Sequence, residues 1–218
     1  MTNVLLLTLA ISRAAVTQES VPQEHFQQGK QLIEANCGDC IGSTRAGLER
    51  GIAEVRKALE MGYPDKLDAY RLLGEAYNTL ALVFAKIDSP EGKEAWEQRR
   101  RAYEKILDLD PSDVESRHLY VSSLQDKAQK MAQYRKILEL KPDHTDAMFR
   151  VGMLLVEEGR SDEGLDELRK AFDLAPWYDG EPYGRALIRV LTDLGRKQEA
   201  DEIAKKLKEK LKPQRKEP

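Results

Sequence analysis

Cys37-Gly38-Asp39-Cys40 is the stretch whose residue types and spacing could do chemistry. Two thiols separated by two residues can cycle as a redox pair, supply half of a zinc site, or close a local disulfide. Redox work needs one thiol at a helix N-terminus, in a strand–helix–strand frame, so that its pKa falls. No strand-like run flanks this motif, and helical periodicity ends just before it. Zinc needs four ligands, and the chain adds only the scattered His25, His118 and His144. Haem attachment needs a histidine directly after the second cysteine, where Ile41 stands. Two readings lead: a Cys37–Cys40 disulfide stapling a turn between helices, expected of an exported chain, or inert unpaired thiols.

Elsewhere the search for chemistry returns surfaces. There is no phosphate-binding G-x4-G-K-[ST] loop, no G-x-G-x-x-G, no H-E-x-x-H and no G-x-S-x-G. The abundant Asp and Glu lie beside Lys and Arg at helical spacing, as solvated i,i+4 pairs do. Arg99-Arg100-Arg101 follows Trp96, but Glu94, Glu97 and Glu104 interleave, so a solvated helix face is expected there. The segment Lys205–Pro218 carries seven Lys/Arg against two Glu, as a helix C-terminus favours. With 35 Lys+Arg against 38 Asp+Glu, the net charge of −3 lacks the basic footprint of a nucleic-acid binder. No apolar run is long enough to span a bilayer. No catalytic residue, metal or cofactor is expected.

The elements that must position any site show themselves as repeats. Ile106-Leu107-Asp108-Leu109-Asp110-Pro111, Ile137-Leu138-Glu139-Leu140-Lys141-Pro142 and Ala171-Phe172-Asp173-Leu174-Ala175-Pro176 are one phrase written three times, with prolines 31 and 34 residues apart. Each is an amphipathic helix end stopped by proline. Between Thr145 and Tyr178, Met148, Val151, Gly152 and Leu155 fall at i, i+3, i+4 and i+7, one face of a helix. Gly159 then breaks the helix, and Gly164, Leu168 and Ala171 form the face of a second. Gly152 and Gly164 let the two helices pack closely. The Thr145–Tyr178 unit is therefore a helix–turn–helix hairpin of 34 residues.

In these residues the chain resembles the tetratricopeptide repeat family, whose W-x2-L-G-x2-Y…A-x3-F…A-x4-P pattern is met by Met148, Val151, Gly152, Leu155, Gly164, Leu168, Ala171 and Pro176. Met148, Leu155, Gly164 and Leu168 are mild departures. Tyr70, Leu73, Gly74 and Tyr77, with Tyr103, Ile106 and Pro111, form a lengthened unit, in which Tyr70 to Ile87 reads as one long helix. Ser89-Pro90-Glu91 reads there as a cap, a first-turn proline and a first-turn acid. Phe26, Gly29, Leu32, Gly51, Val55 and Ala58 look like a degenerate first copy. Leu187, Leu191, Gly195, Ala200, Ala204 and Leu207 form a charged terminal capping copy. The expected class is all-α, a right-handed α-α superhelix of stacked hairpins. The units run over 22–65 (degenerate), 67–113 (lengthened), 114–144 (shortened), 145–178 (standard) and 181–213 (capping), with a tail at 214–218.

The resemblance implies a scaffold that binds a protein or peptide. Stacked hairpins leave a face lined by their first helices, suited to an extended peptide or a partner's helix. By spacing, the lining positions are Arg71, Glu75, Asn78, His118, Ser122, Phe149, Arg150, Met153, Arg185 and Arg189. Phe149 and Met153 offer an apolar anchor, and the three arginines beside them imply acidic residues in the peptide. The competing reading has Phe149 and Met153 packed against the neighbouring unit. The family's carboxylate clamp for chaperone tails is not expected, because Glu75 and Asp146 stand at its places. Two other functions stay open: a structural accessory subunit, and a thiol or metal module built on Cys37 and Cys40.

Val4 to Ile11 is a short apolar run followed by the small residues Ser12, Ala14 and Ala15, the order of a secretory signal over residues 1–15 with a linker at 16–21. Met1-Thr2-Asn3 lacks the usual basic residue, so the alternative is the apolar end of a packed helix in a cytoplasmic protein. The export reading expects a periplasmic or secreted protein with no stable membrane insertion once the signal is removed. It predicts that Cys37 and Cys40 resist alkylation until a reductant is added. Full labelling without reductant identifies them as unpaired thiols.

Overall fold

The computed structural model describes residues 21–37, 43–85, 88–176 and 180–212. Residues 1–15, Cys40 and the tail at 214–218 lie outside these, and with them the signal and the Cys37–Cys40 pairing. Ten α-helices are described: α1 (21–34), α2 (Arg45–Glu60), α3 (Lys66–Thr79), α4 (Pro90–Leu109), α5 (Val114–Val121), α6 (Lys127–Leu140), α7 (Thr145–Glu157), α8 (Ser161–Leu174), α9 (Gly180–Asp193) and α10 (Lys197–Lys210). The described residues contain no strand. The architecture is all-α, built of helical hairpins. It divides into two compact units, Met1–Ser123 and Leu124–Pro218.

Local chemistry sets most helix starts. Ser89 caps α4, its Oγ accepting from Gly92 N at 3.0 Å, with Pro90 and Glu91 in the first turn. Asp65, Asp113, Asp126 and Thr44 cap α3, α5, α6 and α2 through side-chain oxygens. Asn36, buried at the end of α1, joins two helices. Its amide donates to Leu32 O at 2.7 Å, while its carbonyl accepts from Thr44 N at 2.7 Å. α8 and α10 lack such caps. Each follows a positive-φ glycine, Gly159 or Gly195, and an arginine, Arg160 or Arg196, which bonds the glutamate three residues on at 2.5–2.8 Å.

Hairpin packing rests on backbone contact. A Cβ on Gly152 of α7 would lie 2.8 Å from Gly164 O and 3.0 Å from Leu168 N of α8. One on Gly164 would lie 2.7 Å from Gly152 O. The α1·α2 hairpin repeats the device, since a Cβ on Gly29 would lie 2.9 Å from Gly51 O and one on Gly51 would lie 3.0 Å from Gly29 O. The copy that looks degenerate in sequence therefore keeps the crossing that matters. In α3·α4 an aromatic replaces the second glycine, and a Cβ on Gly74 would meet the Tyr103 ring at 3.0 Å.

Two cores follow. In the first unit Phe26 stacks on Tyr63 at 4.2 Å between centroids and 13° between planes, above Ile33, Leu48, Val55, Leu73 and Tyr77. In the second, Leu165, Leu168 and Phe172 of α8 meet Leu187 and Leu191 of α9 and Leu207 of α10.

Two expectations need correction. Tyr70 to Ile87 is not one α-helix. α3 ends at Thr79 and gives way to a π-helical turn over Leu80–Phe84, after which Ala85 is extended. Leu80 and Phe84, at the ends of that wider turn, still pack against the core. Ala81 is buried, whereas Leu82 and Val83 are more than half exposed, at 54% and 56%. Arg99 also departs from the solvated face, being only 2% exposed. Its guanidinium lies 5.0 Å from the Trp96 ring centroid and 4.9 Å from that of Tyr103, and donates to Ser123 Oγ at 2.6 Å. Burial lowers its pKa, and its Nε has no hydrogen-bond partner. One position in three along Arg99–Arg101 faces the core because the helical period places it in register with Ala95, Ala102 and Ile106. Arg100 and Arg101 do form surface pairs, both with Glu97.

Gly152→Ala is expected to cost at least 1–3 kcal/mol, roughly the cost of overpacking, and Gly152→Leu more. The neighbours a Cβ would meet include backbone atoms, which cannot turn aside. Thermal denaturation checks this, because an accommodating site would show the small gain that alanine brings to an open helix.

Candidate functional site

The first helices of each unit carry the expected lining positions. In the first unit Arg71 and Glu75, one turn apart on α3, line a cleft of about 290 Å³ with Asp113, Glu115 and Leu119 around the buried Tyr103. Arg71 Nη2 donates to Asp113 Oδ2 at 2.6 Å. Asp113 also accepts from Ser116 N at 2.8 Å and Ser116 Oγ at 3.0 Å. Burial acts to raise the Asp113 carboxyl, but the bonds from Arg71 and Ser116 outweigh it and hold the group below the usual carboxylate range. Burial pushes the Tyr103 phenol up. Asn78 and His118 are half-buried and line no part of this cleft. Ser122 is exposed, and its hydroxyl donates to Leu119 O at 2.7 Å.

In the second unit α7 presents Phe149, Arg150 and Met153, and α9 presents Arg185 and Arg189. Phe149 and Met153 are half-buried and pack against the unit's core, together with Tyr183 and Ile188 of α9. Each packs inward and keeps an exposed edge. The rings of Phe149 and Tyr183 lie 5.0 Å apart at 39°, bridging α7 and α9. Spacing missed Tyr183, though it stands 34 residues after Phe149, one standard repeat on.

The three arginines are not unmatched cations. Arg150 pairs with Asp146 at 3.5 Å, Arg185 with Glu181 at 2.6 Å and Arg189 with Asp193 at 3.9 Å, each within its own helix. The six charges cancel, so this face offers an apolar anchor with exchangeable polar partners. It offers no net positive field. Such exposed pairs are worth about 0.3–0.5 kcal/mol each and break easily. Arg150 also lies 5.9 Å from the Phe149 ring centroid.

The thiol region is described only as far as Cys37, whose sulfur accepts from Thr79 Oγ1 at 3.4 Å. Cys37 borders a second small cleft of the first unit, between α1 and α3, with Lys30, Glu34, Asp68, Arg71 and Glu75.

No family model and no curated protein sequence matches the chain. Solved structures do. A crystal structure of MamA protein aligns with a TM-score of 0.64 at 16% identity, over 87% of this chain and 91% of that one. A second MamA crystal structure gives 0.59 at 16% identity, over 76% and 90%. MamA from Desulfovibrio magneticus RS-1, from residue 41 to its end, gives 0.59 at 14% identity, over 92% and 98%. At these identities the likeness is one of fold. It defines the class of this chain as an all-α fold built of helical hairpins.

Asp113→Ala removes a helix cap and an ion pair together and is expected to cost about 1–2 kcal/mol at neutral pH. Because the folded-state pKa is depressed, this stability is present above about pH 4, the unfolded value. It is lost as the pH falls through the lower folded value. Denaturant titrations should therefore show wild type and variant converging in acid. A gap unchanged down to pH 2 would assign the loss to packing alone.

Proposed function

We propose that this chain is a non-enzymatic protein-interaction scaffold that holds an extended peptide or a partner's helix on its first-helix faces. The observation that carries this reading is the half-buried strip of Phe149, Met153, Tyr183 and Ile188 across α7 and α9. Aromatic and thioether groups with one face packed and one exposed are ordered before a partner arrives, so binding them costs little conformational entropy. Arg150, Arg185 and Arg189 rim the strip, each in an exposed pair that a partner's carboxylate can replace. Arg71 and Glu75 are the corresponding contacts of the first unit, with His118, Ser122 and Asn78 at its margins. The chain lacks the phosphate-binding, zinc and nucleophile motifs of the enzymes considered above, which favours binding over catalysis. The run Val4–Ile11 supports export, and sequencing the mature N-terminus tests it.

The scaffold reading is tested by affinity capture from the native compartment with wild type and an F149A/R150E variant. The variant should lose the captured partner while keeping its helical circular dichroism, with a melting midpoint lowered by the lost inward packing of Phe149. An R150E variant, which leaves that packing in place, should weaken capture at an unchanged melting midpoint. Normal folding with undiminished capture would place binding elsewhere.

A further inference from the structure

The first unit holds a third cleft, of about 270 Å³, lined by residues that the proposed peptide face does not use. It lies between α2 and α4, with α3 beneath. Leu73 and Tyr77 of α3 and Ala102 of α4 are buried and form an apolar floor, with Leu59 of α2 half-buried beside them. Around this floor stand three cations, Arg56, Arg101 and Lys105, against one acid, Glu60. Arg56 is exposed and bonds the Tyr77 hydroxyl. Arg101 and Lys105 are more than half exposed, at 59% and 56%, and pair with Glu97 at 3.0 Å and Asp108 at 3.2 Å. Those two acids belong to α4 but do not line the cleft. Both pairs lie within one helix, Lys105–Asp108 as an exposed contact and Arg101–Glu97 in a cluster that Glu97 shares with Arg100; within-helix pairs of this kind are weak.

An apolar floor ringed by exposed cations is complementary to an apolar side chain flanked by carboxylates. We infer that the α2/α3/α4 cleft is a docking site for an acidic peptide segment that inserts one aliphatic side chain between Leu59 and Leu73. Carboxylates on either side of that side chain meet Arg101 and Lys105 on α4 and Arg56 on α2. The volume admits a side chain of leucine size with its backbone outside, and the two tyrosines, Tyr70 and Tyr77, supply polar edges to the apolar walls. This inference uses no contact of the α7 and α9 strip and stands or falls apart from it.

The probe is an acetylated, amidated peptide with one leucine flanked by two glutamates on each side, titrated into full-length protein while leucine methyl resonances are followed. Leu59 and Leu73 methyls are expected to shift, with an affinity that falls as salt rises. R101E/K105E is expected to weaken binding at least tenfold, and the neutral R101Q/K105Q pair by less, both with unchanged melting midpoints. Replacing the peptide's leucine by serine is expected to cost at least tenfold. Three results would each overturn the inference: no shift at Leu59 and Leu73 with millimolar peptide, shifts confined to leucines of the second unit such as Leu187, or equal binding by R101E/K105E.

Discussion

Gly152 and Gly164 touch backbone to backbone, and so do Gly29 and Gly51. This contact is the constraint from which much of the structure follows. Where two helices cross with no side chain between them, the residues one turn away from the crossing are driven deep into the opposite helix. Thus Leu168 and Val156 close over the α7·α8 crossing, and Val55 and Ile33 over the α1·α2 crossing. A tight crossing also fixes which stripe of each helix is inward. It thereby fixes which stripe stays outward and can meet another molecule. Opening the crossing by one methyl group would rotate both stripes, so the constraint governs the exposed faces as much as the core.

The α3·α4 hairpin meets the same requirement differently, and the consequences reach further. Tyr103 fills the place of a second glycine against Gly74. On the same helix the Arg99 guanidinium lies over both the Trp96 and Tyr103 rings. Each ring contact is of the kind worth about 2 kcal/mol when desolvated. Its charge is met by the two ring faces and by Ser123 Oγ. The same helix turns Arg101 and Lys105 to the opposite side, above the α2/α3/α4 cleft. Its neighbouring basic residues thus divide between a buried, structural use and an exposed, exchangeable one.

Charge count and charge placement give different pictures of the exposed faces. Three arginines near Phe149 and Met153 promise a basic groove when the α7 and α9 sequences are read by spacing. In the folded helices each has an acid four residues away, and the field cancels. The cleft on α2, α3 and α4 shows the reverse. Its α4 segment carries both signs in sequence, yet folding turns Arg101 and Lys105 toward the cleft while Glu97 and Asp108 do not line it.

Much of the hairpin architecture is legible in the residues alone, because its signals are local. Ser89-Pro90-Glu91 starts a helix, Gly159-Arg160 turns one, and the i, i+3, i+4, i+7 stripe from Met148 to Leu155 buries the face that it marks. These effects act within one or two turns and need no partner helix. What the residues do not reveal depends on contacts across tens of positions. Arg71 meets Asp113 forty-two residues on, Phe149 meets Tyr183 thirty-four on, and Arg99 becomes a core cation only when Ser123 arrives beside it. The run from Leu80 to Phe84 has helical composition throughout, and only packing against α4 and α2 decides that its turn widens and leaves Leu82 and Val83 outside. The sequence by itself determined where helices begin, where they end and which stripe of each is apolar. Tertiary structure alone decided which cation is buried and where an apolar cleft remains open. Those outcomes depend on distances between helices, and no spacing along one helix contains them.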